Sequence, residues 1–328
     1  MIHLHHMDFS SLKRLSFKHK NNKFFFYIAG YSRLFVPNWL YFLRLDKELL
    51  RIKQYDVDYI NGRVEYYNKL DGSYVMPQDV DRLSDLKLGK KLKAYFFDTY
   101  RYSRFFRSKL GAHFLFGDIN YIPEKPSIVK SRPICDNNIN AVIFKLNSIR
   151  HYIFTHDNKS FENKKDMLVG RAKVSQKHRA KFLEMYFNHP LCNIGQVKKC
   201  EKYQEFLMPR MTITEQLDYK FILCLEGNDV ASNLKWTMSS NSIAVMSKPK
   251  FESWFMEGKL VPDYHYIMIK DDYSDLEEKL TYYITHPDEA KLIIEHAHQY
   301  IEPFKNKKME KLISLLVLQK YFRKTGQI

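Results

Sequence analysis

The sequence predicts an α/β fold with parallel strands, and three observations support this. Residues 221–225 are apolar throughout, which is typical of a strand buried on both faces of a parallel sheet. Turn-forming residues at 226–229 end this run, and a helical stretch over 230–240 leads to a second apolar strand at 243–245. The length of 328 residues exceeds what one core usually holds, so we expect two domains.

The composition describes a folded protein with an anionic partner. Hydrophobic residues make up 45% of the chain and aromatic residues 15%, which excludes global disorder. The four cysteines form no Cys-x-x-Cys pair, so reduced thiols in a cytosolic protein are expected. A formal net charge of +16 favours nucleic acid, a phosphorylated sugar or an anionic membrane as partner, and charge alone leaves these open.

The N-terminal residues are basic and then aromatic. Residues 1–23 lack the apolar core of a signal peptide. The apolar stretch 24–43 is interrupted by Arg33, Pro37 and Asn38, so it predicts two short helices, or a helix and a turn, rather than a membrane span. These helices are either an aromatic, basic surface for the cytoplasmic leaflet or an ordinary packed pair.

Residues 82–109 combine many cations with interleaved aromatic side chains. This pattern suits nucleic-acid binding, a phosphorylated acceptor or an anionic membrane. The alternative is a strand at 94–97 followed by a helix with a solvated basic face. Two Asp-x-Asp strings, at 56–58 and 79–81, resemble metal ligands but follow no buried strand, so we predict no metal site.

A carboxylate follows the predicted strand at 113–116. Asp118 comes two residues after this strand, where it would point into the cleft of an α/β sheet. Partial burial there would raise its pKa toward that of a useful general base. Asp118 is therefore the leading candidate for a catalytic base, with a turn or helix-cap role as the alternative.

A second polar cluster follows the strand that begins at residue 128. Lys130, Ser131, Arg132 and Asn140 lie near strand ends, where they would hold the phosphate or hydroxyl groups of an acceptor. A plain basic loop is the alternative.

The C-terminal half offers further strands and helices. A short strand at 167–170 precedes Arg171, a short helix is predicted at 251–257, and a strand at 264–269. The Ser-x-x-Glu string at 274–277 predicts a capped helix. An apolar face predicts a terminal helix over 309–322.

Several separated strings resemble glycosyltransferase family 90, in its bacterial lipopolysaccharide branch. They are EGNDVASNLKWTMSSNS at 226–242, WFMEG at 254–258, HYI at 265–267 and DYSDL at 272–276. The resemblance covers roughly residues 95–325.

This resemblance implies two Rossmann-like domains in a GT-B-type arrangement with a helical basic N-terminal region. Residues 1–162 would bind the acceptor and face the membrane, and residues 163–305 would bind a nucleotide sugar. Residues 306–328 would form a terminal helix that crosses back to the first domain.

The resemblance also assigns roles to residues. The acid at the place of Asp118 is the base, and the cations at the places of Arg171 and Arg179 face the donor's pyrophosphate. Lys235 is the nearest cation where the animal enzymes carry an arginine. The complete expected donor site comprises Arg171, Arg179, Glu226, Gly227, Asp229, Ser232, Lys235, Ser239 and Ser240.

The implied function is inverting transfer of a hexose, glucose or galactose, from a UDP-sugar to a lipopolysaccharide core saccharide. No metal or other cofactor is expected, nor is a nucleic-acid partner. The enzyme would lie in the cytoplasm, peripheral on the anionic inner membrane. Two alternatives stay open, a nucleic-acid-binding protein that uses residues 82–109 and a non-catalytic membrane-associated scaffold.

Overall fold

The computed structural model describes residue 19 and residues 21–77, 80–90, 92–198 and 202–328. The basic segment 1–18, Lys20, Asp79 of the second Asp-x-Asp string, Lys91 and Cys200 lie outside the described residues. The strands are β1 (His113–Leu115), β2 (Ser127–Val129), β3 (Ser131–Pro133), β4 (Ala141–Ile143), β5 (Lys165–Ala172), β6 (Cys192–Gln196), β7 (Tyr219–Leu223), β8 (Ile243–Met246), β9 (Phe251–Ser253) and β10 (Ile267–Met268). The α-helices are α1 (Lys23–Leu34), α2 (Trp39–Phe42), α3 (Leu45–Leu49), α4 (Val57–Tyr67), α5 (Lys93–Ser103), α6 (Ser148–His151), α7 (Lys177–Tyr186), α8 (Ile213–Gln216), α9 (Leu234–Met238), α10 (Leu276–Thr285), α11 (Pro287–Lys305) and α12 (Lys307–Lys324).

Two parallel sheets form the frame of the molecule, which confirms the predicted α/β class. The smaller sheet has the order β1-β2-β4, and the larger has the order β10-β8-β7-β5-β6. In the larger sheet the chain runs from β5 outward to β6 and then returns to β7 on the other side of β5. Such a reversal leaves a crevice at the carboxyl ends of β5 and β7, where ligands bind in open α/β sheets.

Strand β7 shows why its sequence is apolar without alternation. Phe221 and Ile222 are both fully buried, yet they belong to different clusters on opposite faces of the sheet. Successive side chains of a strand point to opposite faces, and both faces are covered here.

The short antiparallel pair β3–β9 joins the chain's two halves. Arg132 of β3 lies opposite Glu252 of β9, and its Nε donates to the Glu252 carboxylate at 2.7 Å. Residues 251–257, predicted as a helix, therefore contain a strand instead. These residues pair with β3, which is more than 100 residues away in sequence, and local propensity does not reflect such long-range pairing.

The terminal helix α12 packs against α4 and α5 of the N-terminal half. Glu310 at its start is buried and accepts hydrogen bonds from Lys145 Nζ at 2.6 Å and Trp254 Nε1 at 2.7 Å. Its other oxygen lies 2.7 Å from an Arg63 guanidinium nitrogen. One carboxylate thus connects α4, the segment after β4, the segment after β9 and α12.

Three other local predictions are wrong. Residues 94–97 belong to helix α5 and not to a strand, because Phe97 packs under α1 and Tyr95 packs against Phe116, which follows β1. The helix expected over 230–240 is shorter than predicted, because it comprises only α9, Leu234–Met238. The string 274–277 makes no capping box, since Ser274 bonds to Asp272 instead and α10 begins at Leu276 without a side-chain cap.

Of the two forms expected for residues 24–43, the structure has the two helices, α1 and α2. Helix α1 contacts α5, and Gly30 is its buried residue. Among the described residues, no helix is both long and apolar enough to cross a membrane.

Candidate active site

A cleft of about 430 Å³ opens at the carboxyl ends of the larger sheet. One wall consists of residues at or after the ends of β5, β6 and β7, including Gly170, Gly195 and Gly227. The other wall comes from segments that follow strands of the smaller sheet, namely Asp118 after β1 and His151 after β4. The cleft therefore lies between the two sheets, at the point where the strand order of the larger one reverses.

Asp118 faces Lys130 on its own side of the cleft and Asn228 on the other. Lys130 Nζ donates to Asp118 Oδ1 at 2.5 Å and lies 2.6 Å from Asp229 Oδ2. Asn228 Nδ2 approaches Asp118 Oδ2 at 3.4 Å. The ammonium group thus lies between two carboxylates, one from each half of the chain.

These contacts set the protonation of the two carboxylates. Burial acts to raise the pKa of Asp118, but the Lys130 ammonium outweighs it and holds the pKa below its ordinary value. The expectation that burial would raise this pKa is therefore wrong in sign. Asp229 is more buried, and desolvation leaves its pKa raised despite Lys130. Asp118 is consequently ionised at neutral pH and can accept a proton.

Arg179 and the start of α7 stand at the carboxyl end of β5. The guanidinium of Arg179 donates to the carbonyls of Glu226 at 2.8 Å, Leu225 at 2.7 Å and Lys173 at 3.0 Å. Because these bonds use three of its five N–H groups, two remain for a ligand. No carboxylate of the described residues forms an ion pair with it.

Gly227 lies directly over this guanidinium. A Cβ added at Gly227 would lie 3.3 Å from the Arg179 NH2 nitrogen, so a larger residue would crowd the cation. The glycine expected at the donor loop therefore lies where the backbone approaches Arg179.

Arg171 lines the same wall but is more fully engaged. It donates to Pro209 O at 2.9 Å, to Asn193 O at 2.7 Å and to Asn193 Oδ1 at 2.7 Å, besides Gly170 O. All of these partners are neutral, so its positive charge is not cancelled and adds to that of Arg179.

Arg150 and His151 are not among the expected site residues, yet both line the cleft. Arg150 is exposed, lies near enough to Asp118 to lower its pKa and forms no ion pair within the described chain. His151 is buried, and desolvation together with Lys130 holds its pKa well below the ordinary value, so the imidazole is neutral. The sequence indicates a site role for Arg150 and His151 only weakly, because a loop separates both residues from the end of β4.

A smaller neighbouring pocket of about 360 Å³ shares Gly227 and Asn228 with the cleft. Glu226 lines it, and its carboxylate accepts the backbone N–H groups of Lys250 at 3.1 Å and Phe251 at 3.0 Å. Burial raises the pKa of Glu226 to about 7. Asp229 and Ser232, both expected at the donor site, line the main cleft.

Three residues expected at the donor site lie elsewhere. Lys235 is fully buried and paired with Glu257 at 2.5 Å, so its charge is cancelled away from the cleft. Ser239 Oγ accepts the backbone N–H of Thr155 at 2.8 Å, and Ser240 Oγ donates to Thr237 O at 2.7 Å. These three side chains stabilise α9 and its surroundings, and none of them lines the cleft.

The residues expected to hold an acceptor do not line the cleft either. Arg132 is fully buried, and its donors go to Glu252 and to carbonyls of α4 and β4. Ser131 Oγ donates to Asp229 Oδ2 at 2.6 Å, and Asn140 Nδ2 donates to Glu124 O at 2.8 Å. Lys130 does not line the cleft, but it contacts Asp118 and Asp229 and lowers the pKa of His151.

The aromatic rings of residues 82–109 do not form a base-stacking surface. Tyr95, Phe96, Phe97, Tyr102, Phe105 and Phe106 are all buried. Of the Asp-x-Asp strings, Asp56 caps α4 by accepting N–H groups of Asp58 and Tyr59. No group of three or more potential metal ligands occurs among the residues that the structure describes.

Comparisons with known proteins agree with this architecture. Residues 144–323 match the family model described as Glycosyl transferase family 90. The chain is also 40% identical over 263 residues to the O-glucosyltransferase LpsA of Dichelobacter nodosus, an alignment that covers 80% of this chain and 82% of that protein. The match confirms the family indicated by the sequence strings. The chain therefore belongs to glycosyltransferase family 90 and is a glycosyltransferase.

Proposed function

We propose that this protein is an inverting, metal-independent enzyme that transfers a hexose from a UDP-sugar to a saccharide of the lipopolysaccharide core. The observation that carries the proposal is the cleft itself, where an ionised carboxylate on one wall faces cations with no carboxylate partner on the other. Glucose is the favoured hexose because the relative described above is named an O-glucosyltransferase.

The donor diphosphate would lie at the carboxyl ends of β5 and β7. Arg179 keeps free N–H groups there, and Arg171 adds uncancelled charge. The first turn of α7 begins beside the cleft at Gln176, so its free backbone N–H groups would add to the attraction for phosphate. This helix replaces the one expected near Val230, since the structure has no helix there.

Asp118 would act as the general base. It accepts the proton of the acceptor hydroxyl while that oxygen forms a bond to the anomeric carbon. The bond from this carbon to the diphosphate oxygen breaks on the opposite side, so the configuration inverts. The Lys130 contact keeps Asp118 ionised before the reaction, and the new negative charge on the diphosphate is met by Arg171, Arg179 and Arg150.

The two parallel sheets with a cleft between them support a GT-B-type arrangement. We assign residues 1–162 to the acceptor side, 163–305 to the donor side and 306–328 to the returning terminal helix. Metal independence is supported by the ammonium of Lys130, which lies between the two carboxylates of the cleft where a divalent cation would otherwise balance them. The acceptor would be reached at the cytoplasmic face of the inner membrane.

The donor proposal is tested by thermal stabilisation of the purified protein. UDP, UDP-glucose and UDP-galactose are added separately, each with and without EDTA. A ligand at about 100 times its Kd raises the free energy of unfolding by about 2.7 kcal/mol. We expect a shift that EDTA does not remove, largest for UDP-glucose. Absence of a shift with all three would contradict the donor site, and loss with EDTA would contradict metal independence.

The base assignment is tested by Asp118→Asn. We expect transfer to fall by about 10²- to 10⁴-fold, because the amide cannot take the proton, while stabilisation by UDP persists. Asp288→Asn, which changes an exposed carboxylate on α11, is the matched control. Full transfer activity in Asp118→Asn would exclude this residue as the base.

A further inference from the structure

Helix α1 carries an apolar stripe on the side that points away from the protein. Phe24, Ile28 and Phe35 are spaced by four and seven residues, which places them on one side of a helix. They are 68%, 48% and 87% exposed. Large apolar side chains at helical spacing normally face a core, so this stripe lacks a partner within the described chain.

The opposite side of α1 is the one that packs. Phe26 and Tyr27 contact the ring of Phe97 on α5, with ring centroids 6.4 Å and 6.0 Å apart. Gly30 lies so close to Phe97 that a Cβ would come within 2.7 Å of that ring. The packing of α1 on α5 therefore accounts for its inner side and leaves the outer stripe unexplained.

Further exposed apolar side chains follow α1 in the sequence. We define the aromatic face as Phe24, Phe25, Ile28, Phe35, Trp39 and Leu43. Nearly half of the exposed large apolar side chains of the described residues lie between residues 24 and 50. A concentration of this kind on one part of a soluble protein indicates an interaction surface.

The charges around the aromatic face indicate the chemistry of the partner. Lys23, Arg44 and Lys47 form no ion pair with any described residue. Arg107 lies 5.7 Å from the ring of Phe42 at the edge of the face. Residues 21–53 contain six cations and two acids, Asp46 and Glu48, and Glu48 is already paired with Arg51 and Lys311, so the surroundings are net positive.

We propose that the aromatic face binds the enzyme to an anionic phospholipid bilayer. Phe and Trp side chains enter the interface between headgroups and acyl chains, and the surrounding cations contact lipid phosphates. Helix α1 lies in the plane of the membrane, because its exposed stripe runs along its length while its other side packs on α5. A self-associating surface would not require this excess of unpaired cations, which would face one another across a dimer.

Membrane binding rests on the proposed function in one respect: its purpose is to bring the cleft to an acceptor held in the membrane. Vesicle binding is measured without any sugar, and transfer to a soluble acceptor is measured without vesicles. Failure of one therefore does not imply failure of the other.

The test is co-sedimentation of the full chain with vesicles of phosphatidylcholine alone and of an equal mixture of phosphatidylcholine and phosphatidylglycerol. We expect binding to the mixed vesicles that weakens in high salt, because exposed charges are screened. The variant Phe24→Ser/Ile28→Ser/Phe35→Ser should bind at least roughly tenfold more weakly. Met185→Ser/Val261→Ser/Leu292→Ser removes a similar number of exposed apolar side chains elsewhere and should bind as the wild type does.

A second measurement needs no destabilising change. Trp39 is 60% exposed, whereas Trp236 and Trp254 are buried. Mixed vesicles should therefore shift the fluorescence of the wild type to shorter wavelength, and Trp39→Phe should abolish the shift while keeping most of the binding.

Three results would overturn the proposal. One is equal sedimentation with and without mixed vesicles, together with unchanged fluorescence. Another is unchanged binding of the stripe variant. The third is a concentration-dependent dimer in ultracentrifugation that the stripe variant abolishes, which would assign the aromatic face to a second copy of the chain.

Discussion

At the scale of single residues, the cleft depends on how each charge is partnered. Arg171 and Arg179 bond to neutral carbonyls, so their charge is available to a ligand, whereas the charge of Lys235 is balanced by Glu257. Lys130 is an intermediate case, because its charge balances two carboxylates but does so beside the cleft. Residue type alone therefore does not identify a phosphate-binding cation.

Lys130→Gln tests whether this lysine positions and ionises the base. The amide can still donate to Asp118 but supplies no charge, so the pKa of Asp118 should rise toward its ordinary value. We expect the acidic limb of the pH profile of kcat/KM to move to higher pH. Lys305→Gln on the surface is the control, and an unmoved profile would limit Lys130 to a structural role.

Glu226 makes stability depend on pH. Burial raises its pKa to about 7, against an ordinary 4.5, so the folded protein binds this proton more tightly than the unfolded chain. The free energy of unfolding should therefore fall as pH rises from about 4.5 to about 7. Glu226→Gln keeps the acceptor oxygen for Lys250 and Phe251 but cannot ionise, and should flatten this fall in urea denaturation. A fall of unchanged size in the variant would refute the assignment.

At the scale of elements, the pair β3–β9 connects the segment after β2 with the segment after β8. Its centre is the buried pair of Arg132 and Glu252, which also accepts from Tyr66 of α4. This pair explains why a segment that resembles a phosphate-binding site contributes no side chain to the cleft.

Arg132→Met should therefore reduce stability rather than acceptor affinity. The variant leaves the Glu252 carboxylate buried without its cation, which costs about 3–5 kcal/mol of unfolding free energy. The double variant Arg132→Met/Glu252→Gln should recover part of this loss in urea denaturation, because no buried charge remains unpaired. Full stability of the single variant would contradict the structural role.

At the scale of the whole molecule, one continuous core joins both halves of the chain. The largest cluster of buried side chains extends from Ile60 in α4 through Val142 and Ile222 in the two sheets to Phe322 in α12. A chain with a shared core of this kind should unfold in a single transition.

Glu310→Gln tests this coupling. The change leaves Arg63 and Lys145 near a neutral amide in a buried site, so we expect the unfolding free energy to fall by about 3–5 kcal/mol. Calorimetry should show one transition at lower temperature, and Glu302→Gln on the surface of α11 should leave it unchanged. Two separate transitions in the wild type would show that the halves unfold independently.

The sequence by itself determined the parallel sheets, the base candidate and the family. Apolar runs such as 221–225 and a carboxylate just after a strand are local patterns. The separated strings of the family can likewise be recognised in the sequence alone. These features depend on neighbours along the chain.

Only the tertiary structure decided which polar residues face the cleft. The sequence alone suggests that three residues bind ligands, namely Lys235, Arg132 and Ser239. In the structure each of them has a buried partner that is distant in sequence. Arg150 and His151 enter the cleft because β4 lies beside β2, a neighbour relation that no local pattern encodes. A charge is available to a ligand only if no other group of the fold has already neutralised it, and that depends on long-range packing.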